Sequence, residues 1–264
     1  MHPILIKIGS VTIHSYGFMM AIGVIAAFLF VYYQGKKQGL PASKIIDMGF
    51  FVVLISLIGA KLILFIGDIS LYINNPKELL SLLRSGGVFQ GGLAFGFVFA
   101  LWYMWKHKLP IWKVADIVAP GIALGHGFGR IGCFLAGCCF GRESSMPWGV
   151  TFSSQYASNI TGVPLGVKIH PTQLYESVLN FLNFFVLFYL LKKKKFDGQV
   201  FAFYIINYSI LRFFVEFYRW HPDKYFLFPD ASFYLKFSFH QIFCVVGLAA
   251  GLILLMILRK RKSA

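Results

Sequence analysis

The sequence predicts an all-α membrane protein: a bundle of seven transmembrane helices with small periplasmic elements, N-terminus out and C-terminus in. Three observations predict it. The 264 residues are 58% hydrophobic and only 13% charged, where soluble domains carry roughly 25% charge. Seven apolar runs are long enough to span a bilayer, which takes about 20 residues each. Basic residues also alternate from loop to loop: 14 fall on one side of the runs and 8, over longer loops, on the other. The positive-inside rule places the richer side, with the C-terminus, in the cytoplasm.

The runs follow in order. Residues 16–33 lack a basic leader and continue past the length of a signal-peptide core, so this segment is expected to stay as a helix. Residues 48–69 contain Lys61, a side chain able to snorkel. Residues 88–105 carry Gly92 and Gly96, and residues 114–135 carry Gly121, Gly125 and Gly129 at four-residue spacing, which allows close helix approach. Pro120 interrupts the latter run. The remaining runs are 174–191, 199–217 and 241–258. One polytopic domain, 1–264, is expected, with outer loops 143–170 and 219–239 forming a small head. Trp148, Tyr156, Trp220, Tyr225, Phe226, Phe228, Phe233 and Tyr234 in those loops suit a membrane–water boundary. No internal repeat is present. The net charge of +15 lies mostly in short loops, which argues against a nucleic-acid partner.

Two residues stand against this apolar background. Arg130 and Arg212 fall inside spans, where a permanently charged guanidinium costs at least ~2.5–3.5 kcal/mol. They point to a buried polar cavity holding an anion, and a phospholipid phosphate is the anion a bilayer supplies. Tyr208, Arg212 and Glu216 stand at i, i+4 and i+8 and form one polar stripe on a helix. Gln173, Glu176, Asn180 and Asn183 form another, for substrate or for neighbouring helices, and Asp116 is expected to bond helix to helix. Cys133, Cys138 and Cys139 have the spacing C-x4-C-C, which matches no familiar zinc or iron–sulfur pattern. Small polarizable residues filling a tight seam is the leading account of them; no metal and no cofactor are expected. Serine-elbow, HExxH and nucleotide-loop motifs are absent from the sequence.

SYGFMMAIG, VFQGGLAFG, VADIVAPGIALGHGFGRIGCFLAGCCFGR, HPTQLYE and YSILRFFVEFYR, in that order, resemble the prolipoprotein diacylglyceryl transferase family. The resemblance covers about residues 2–219. It implies an enzyme of the bacterial cytoplasmic (inner) membrane. Such an enzyme moves diacylglyceryl from phosphatidylglycerol to the lipobox cysteine of a preprolipoprotein signal peptide, forming a thioether and releasing glycerol-1-phosphate. By match, Arg130 and Arg212 hold the phosphate. Tyr16, Tyr208, Glu216 and Gly141 occupy family site positions. The chain departs from the family pattern at Gln90, where many members have histidine, and at Cys133 and Cys138, where asparagine and glutamate are usual. His126, one turn before Arg130, is a candidate replacement base, with His14 and His170 behind it. The alternatives are a diverged paralogue with another acceptor or with thiol chemistry, and a lipid or anion transporter.

Overall fold

The computed structural model describes residues 2–9, 11–75, 78–79, 87–222 and 237–263. Lys77, Arg84, Lys224 and Lys236 of the charge tally, and Tyr225, Phe226, Phe228, Phe233 and Tyr234 of the expected aromatic boundary, lie outside the described residues. The elements are β1 (Ile4–Ile8), β2 (Val11–His14), α1 (Ser15–Lys37), α2 (Ala42–Gly67), α3 (Ile69–Asn74), α4 (Phe89–Lys106), α5 (Ile111–Ala136), β3 (Val150–Thr151), α6 (Gln155–Thr161), β4 (Lys168–Ile169), α7 (Thr172–Lys193), α8 (Gln199–Glu216) and α9 (Phe239–Ser263). Among the described residues the fold is mostly helical, and the strands make two separate two-stranded pieces rather than a barrel. Each predicted apolar run falls on a helix of 18 or more residues. Five of these helices, α1, α2, α5, α7 and α9, are long and apolar enough to cross a membrane. The chain is therefore a multi-pass membrane protein.

Two compact units are present, one of Val31–Val114 and the other of Met1–Phe30 with Ala115–Ala264. The smaller unit rests on α2 and α4. A methyl group on Gly59 would strike the Phe95 ring, and one on Gly91 would come within 2.7 Å of the Gly59 carbonyl oxygen. Both positions must lack a side chain for the backbones to approach this closely. The start of α4 is tied down by Val88 N–H donating to the Ala60 carbonyl at 2.9 Å. Lys61 is half-buried on α2, and Gln90 is exposed on the first turn of α4.

In the larger unit, α5 lies against α1 at Gly125 and Gly23, and Gly127 sits beneath the Phe181 ring of α7. Helix α7 buries Gln173, Glu176, Ser177, Asn180, Asn183, Leu187 and Leu191, a single stripe at three- and four-residue steps. Most of its polar members bond to neighbouring backbone or helices. Ser177 donates to the Gly127 carbonyl at 2.9 Å, and Asn183 accepts from Asn207 at 3.0 Å. Asp116, fully buried, accepts from Lys194 at 2.9 Å and from the backbone of Gly198 and Phe201 at 2.8 and 3.0 Å. It supplies what the first turn of α8 lacks, since orphan N–H groups there need acceptors. The expected helix-to-helix role of Asp116 is what its contacts describe.

Residues 143–170 are ordered around their own small core. Phe152, Ala157, Val163 and Ile169 bury against Phe140. Ser154 caps α6 by accepting the Ala157 N–H, and Gly162 ends it with φ +72°. Beside this segment, where His14 stacks on Tyr156, β1 and β2 pair antiparallel, Ile8 opposite Val11. Two β-branched runs around Gly9-Ser10 are a hairpin signal, and exposed Ile6, Ile8 and Ile13 make this hairpin apolar on its outside.

Candidate active site

Helices α5, α7 and α8 each contribute one charged residue or more to a single buried cluster. Its centre is Glu176 on α7, 4% exposed. Arg130 Nε on α5 lies 2.6 Å from Glu176 Oε2, and Arg212 Nη1 on α8 lies 3.7 Å from Oε1. Arg219, just past α8, reaches the same Oε1 at 3.5 Å. The Arg130 Nε–H donates to His126 Nε2 at 3.1 Å. That nitrogen is therefore an acceptor, with the imidazole proton on Nδ1.

A second carboxylate backs the first. Arg212 Nη1 pairs with Glu216 Oε2 at 2.5 Å across one helical turn. Glu216 also lies 2.7 Å from His221 Nε2 and 3.5 Å from His240 Nδ1, and accepts from Ser238 Oγ at 2.9 Å. Among the described residues this network holds three guanidiniums and two carboxylates. Between these guanidiniums and carboxylates the count is one positive charge in surplus. A buried surplus charge is costly, so the cluster favours one bound monoanion.

Tyr208 stands beside this cluster, its ring centroid 5.3 Å from that of His126 and stacked on Tyr204 at 6.0 Å. Glu176, Asn180, Tyr208 and Arg212 line a hollow with room for about one water molecule. Tyr16 packs against Gly132, two residues beyond Arg130. Cys133 is buried one turn from Arg130. His14 stacks on Tyr156 at 6.4 Å and His170 Nδ1 meets Tyr175 Oη at 3.1 Å; neither is among the described contacts of Glu176. Gln90 belongs to the smaller unit and is exposed there.

The mouth of these helices is closed by main chain. Gly141 N–H donates to the His170 carbonyl at 3.1 Å, His170 N–H to the Arg142 carbonyl at 2.9 Å, and Arg142 N–H to the Tyr218 carbonyl at 2.9 Å. Any side chain at Gly141 would collide with the carbonyls of both His170 and Tyr218. Arg142 Nε donates to the Arg219 carbonyl at 3.1 Å, and Phe140 stacks on Trp220 at 5.4 Å. This clasp sets where Arg219 leaves α8 and so aims it at Glu176.

Sequence spacing pairs Arg212 with Glu216 and Tyr208, and the structure brings Arg130 and His126 to the same place. Glu176, Arg219, His221, Ser238 and His240 are participants absent from the candidates drawn from sequence. Glu176 appeared only as one member of a polar stripe, and Arg219 only as a loop charge. The available signal for Arg219 was its place three residues after Glu216 in RFFVEFYR.

A family model described as Prolipoprotein diacylglyceryl transferase matches residues 3–257. A Clostridium tetani protein named phosphatidylglycerol–prolipoprotein diacylglyceryl transferase is 39% identical over 223 residues, covering 84% of this chain and 87% of its own. A Clostridium perfringens protein with the same name and the number 2 is 35% identical, covering 84% and 85%. A relative of that name from Clostridioides difficile is 31% identical over 248 residues, covering 94% and 92%.

Proposed function

Since the chain belongs to the prolipoprotein diacylglyceryl transferase family and is a transferase, we propose that it carries diacylglyceryl from phosphatidylglycerol to a prolipoprotein cysteine through the Glu176-centred arginine cluster. The observation that carries this reading is the convergence of Arg130, Arg212 and Arg219 on one carboxylate, with one positive charge to spare. Phosphatidylglycerol is a phosphodiester with a single negative charge and balances that surplus. Because the hollow is of water size, the headgroup takes the place Glu176 holds between the guanidiniums. Glu176 is thus the resting occupant of the phosphate site, and Tyr208 and Tyr16 border it.

In the reaction the acceptor sulfur bonds to the terminal glyceryl carbon of the diacylglycerol. The bond from that carbon to the phosphate oxygen breaks, and glycerol-1-phosphate leaves. The leaving phosphate goes from one negative charge toward two, so guanidiniums bind the transition state more tightly than the lipid. A thiol ordinarily ionises near pH 8.5, and neighbouring cations lower that value. His126 Nε2, freed when phosphate draws Arg130 away, accepts the thiol proton. Electrostatics supplies the larger part of the rate and His126 the smaller. Cys133 and Glu216 serve as polar contacts for substrate, and Gln90, which cannot take up a proton, is not the base.

All seven long helices span the bacterial cytoplasmic (inner) membrane in this reading, with the N-terminus and the clasp outside. Lipid arrives laterally, and the prolipoprotein signal peptide presents its cysteine from the outer face. The test is a proteoliposome assay with phosphatidylglycerol and a lipobox peptide, following peptide mass and glycerol phosphate together. Both are expected to rise in step. Lipid transit across the bilayer with no glycerol phosphate released would reject the enzyme in favour of a transporter.

A further inference from the structure

We propose that Cys133, Cys138 and Cys139 form a binding site for a thiophilic metal ion of the Cu⁺ or Zn²⁺ class. Their three Sγ atoms all lie within 4.8 Å of one another. Metal–sulfur bonds of about 2.3 Å place sulfurs roughly 3.8–4.0 Å apart, so closing on an ion takes a movement below about one ångström. The arrangement is built by the end of α5. Gly137 at φ +84° and Cys139 at φ +59° turn the chain back on itself, and the N–H groups of Gly137 and Cys138 both donate to the Cys133 carbonyl, at 3.0 and 3.2 Å.

A left-handed backbone is unfavourable for cysteine and persists where its surroundings impose it. Here they do. Thr172 Oγ1 donates to the Cys139 carbonyl at 2.9 Å, and buried Gln173 donates to the Cys138 carbonyl at 2.7 Å. The backbone carrying the thiols is thus fixed through its carbonyls; of the sulfurs, Cys138 Sγ donates to the Cys133 carbonyl at 3.8 Å, a long bond that deprotonation on metal binding would release. Cys133 is buried and the other two are half-buried, which leaves a path for an ion. The nearby harder donors, Glu176 and His126, are engaged with Arg130. An all-sulfur set selects soft cations over Mg²⁺ or Ca²⁺.

The full chain is reduced in nanodiscs, freed of reductant without air, and equilibrated with Cu⁺ or Zn²⁺ against a competing chelator. Bound metal and the alkylation of each cysteine, mapped by peptide mass, are read together. One retained ion per chain is expected, with Cys133, Cys138 and Cys139 protected and Cys244 alkylated at its metal-free rate. Cys138→Ser and Cys139→Ser should each weaken binding roughly tenfold or more, while Cys244→Ser leaves it unchanged. Unprotected motif thiols in the wild-type chain overturn the proposal, whatever the serine variants do. So does affinity equal to wild type in Cys138→Ser and Cys139→Ser. A chain 2 Da lighter that joins Cys133 to a neighbour, and binds no ion once reduced, overturns it in favour of a disulfide. None of these readouts depends on transferase activity, so the result is independent of the proposed reaction.

Discussion

The α2–α4 pair and the α5–α7–α8 face solve the same problem, joining helices in an apolar setting, by opposite means. In the first, glycines remove side chains until backbones touch, and Gly91 faces the Gly59 carbonyl with nothing between. In the second, charges are retained and each is given several partners. Glu176 has three guanidiniums within 4 Å, and Glu216 has an arginine, a serine and two histidines. Close packing, with a backbone hydrogen bond from Val88 to Ala60 at its edge, holds the first pair together. The second arrangement is expensive to assemble and is worth retaining where an anion must be drawn in.

The contrast can be broken at several strengths. Asp116→Ala leaves two backbone donors at the start of α8 without an acceptor, while Lys194 keeps Asp197 at 2.7 Å. A loss of about 2–5 kcal/mol in unfolding free energy in detergent is expected from the two unsatisfied donors. Next, Arg130→Ala and Arg212→Ala each lower diacylglyceryl transfer by roughly 10²–10³-fold with the fold retained; activity within threefold of wild type would sink the electrostatic mechanism. Gly59→Ala pushes a methyl into Phe95 and costs about 1–3 kcal/mol by overpacking, visible as a lower unfolding temperature, with the turnover of surviving protein unaltered. Gln90→Ala should keep most of the activity, and a loss as deep as that of Arg130→Ala would overturn the division of labour argued above.

The smallest effect concerns pH. Burial pushes His170 below the ordinary histidine range. The folded state therefore binds fewer protons there than the unfolded chain, and stability drops as pH falls below about 6.5. His170→Gln should flatten part of that acid slope in a thermal-unfolding series.

Legibility in the sequence followed the range of the interaction. Helix lengths, the glycine seams and the Tyr208–Arg212–Glu216 stripe are local patterns, and periodicity reveals them. That Arg130 and Arg212 stand near one another was inferred from cost, since two isolated buried cations would be prohibitive, and from the family resemblance. What stayed hidden depends on non-local folding. Glu176 draws cations from two other segments, and no spacing encodes that. Arg219 is aimed by a clasp whose strands lie roughly 30 to 80 residues apart in the chain. The thiol cluster was unreadable because C-x4-C-C fits no linear metal pattern, although Gly137, ending α5 with a left-handed turn, folds Cys138 and Cys139 back over Cys133.

One consequence belongs to Gly141. Because peptide groups rather than side chains lace together residues 141–142, 170 and 218, the tips of three helices stay registered whatever residues decorate them. Substitutions at adjoining positions then alter chemistry without loosening the scaffold. The same lacing denies any replacement for a single hydrogen at Gly141.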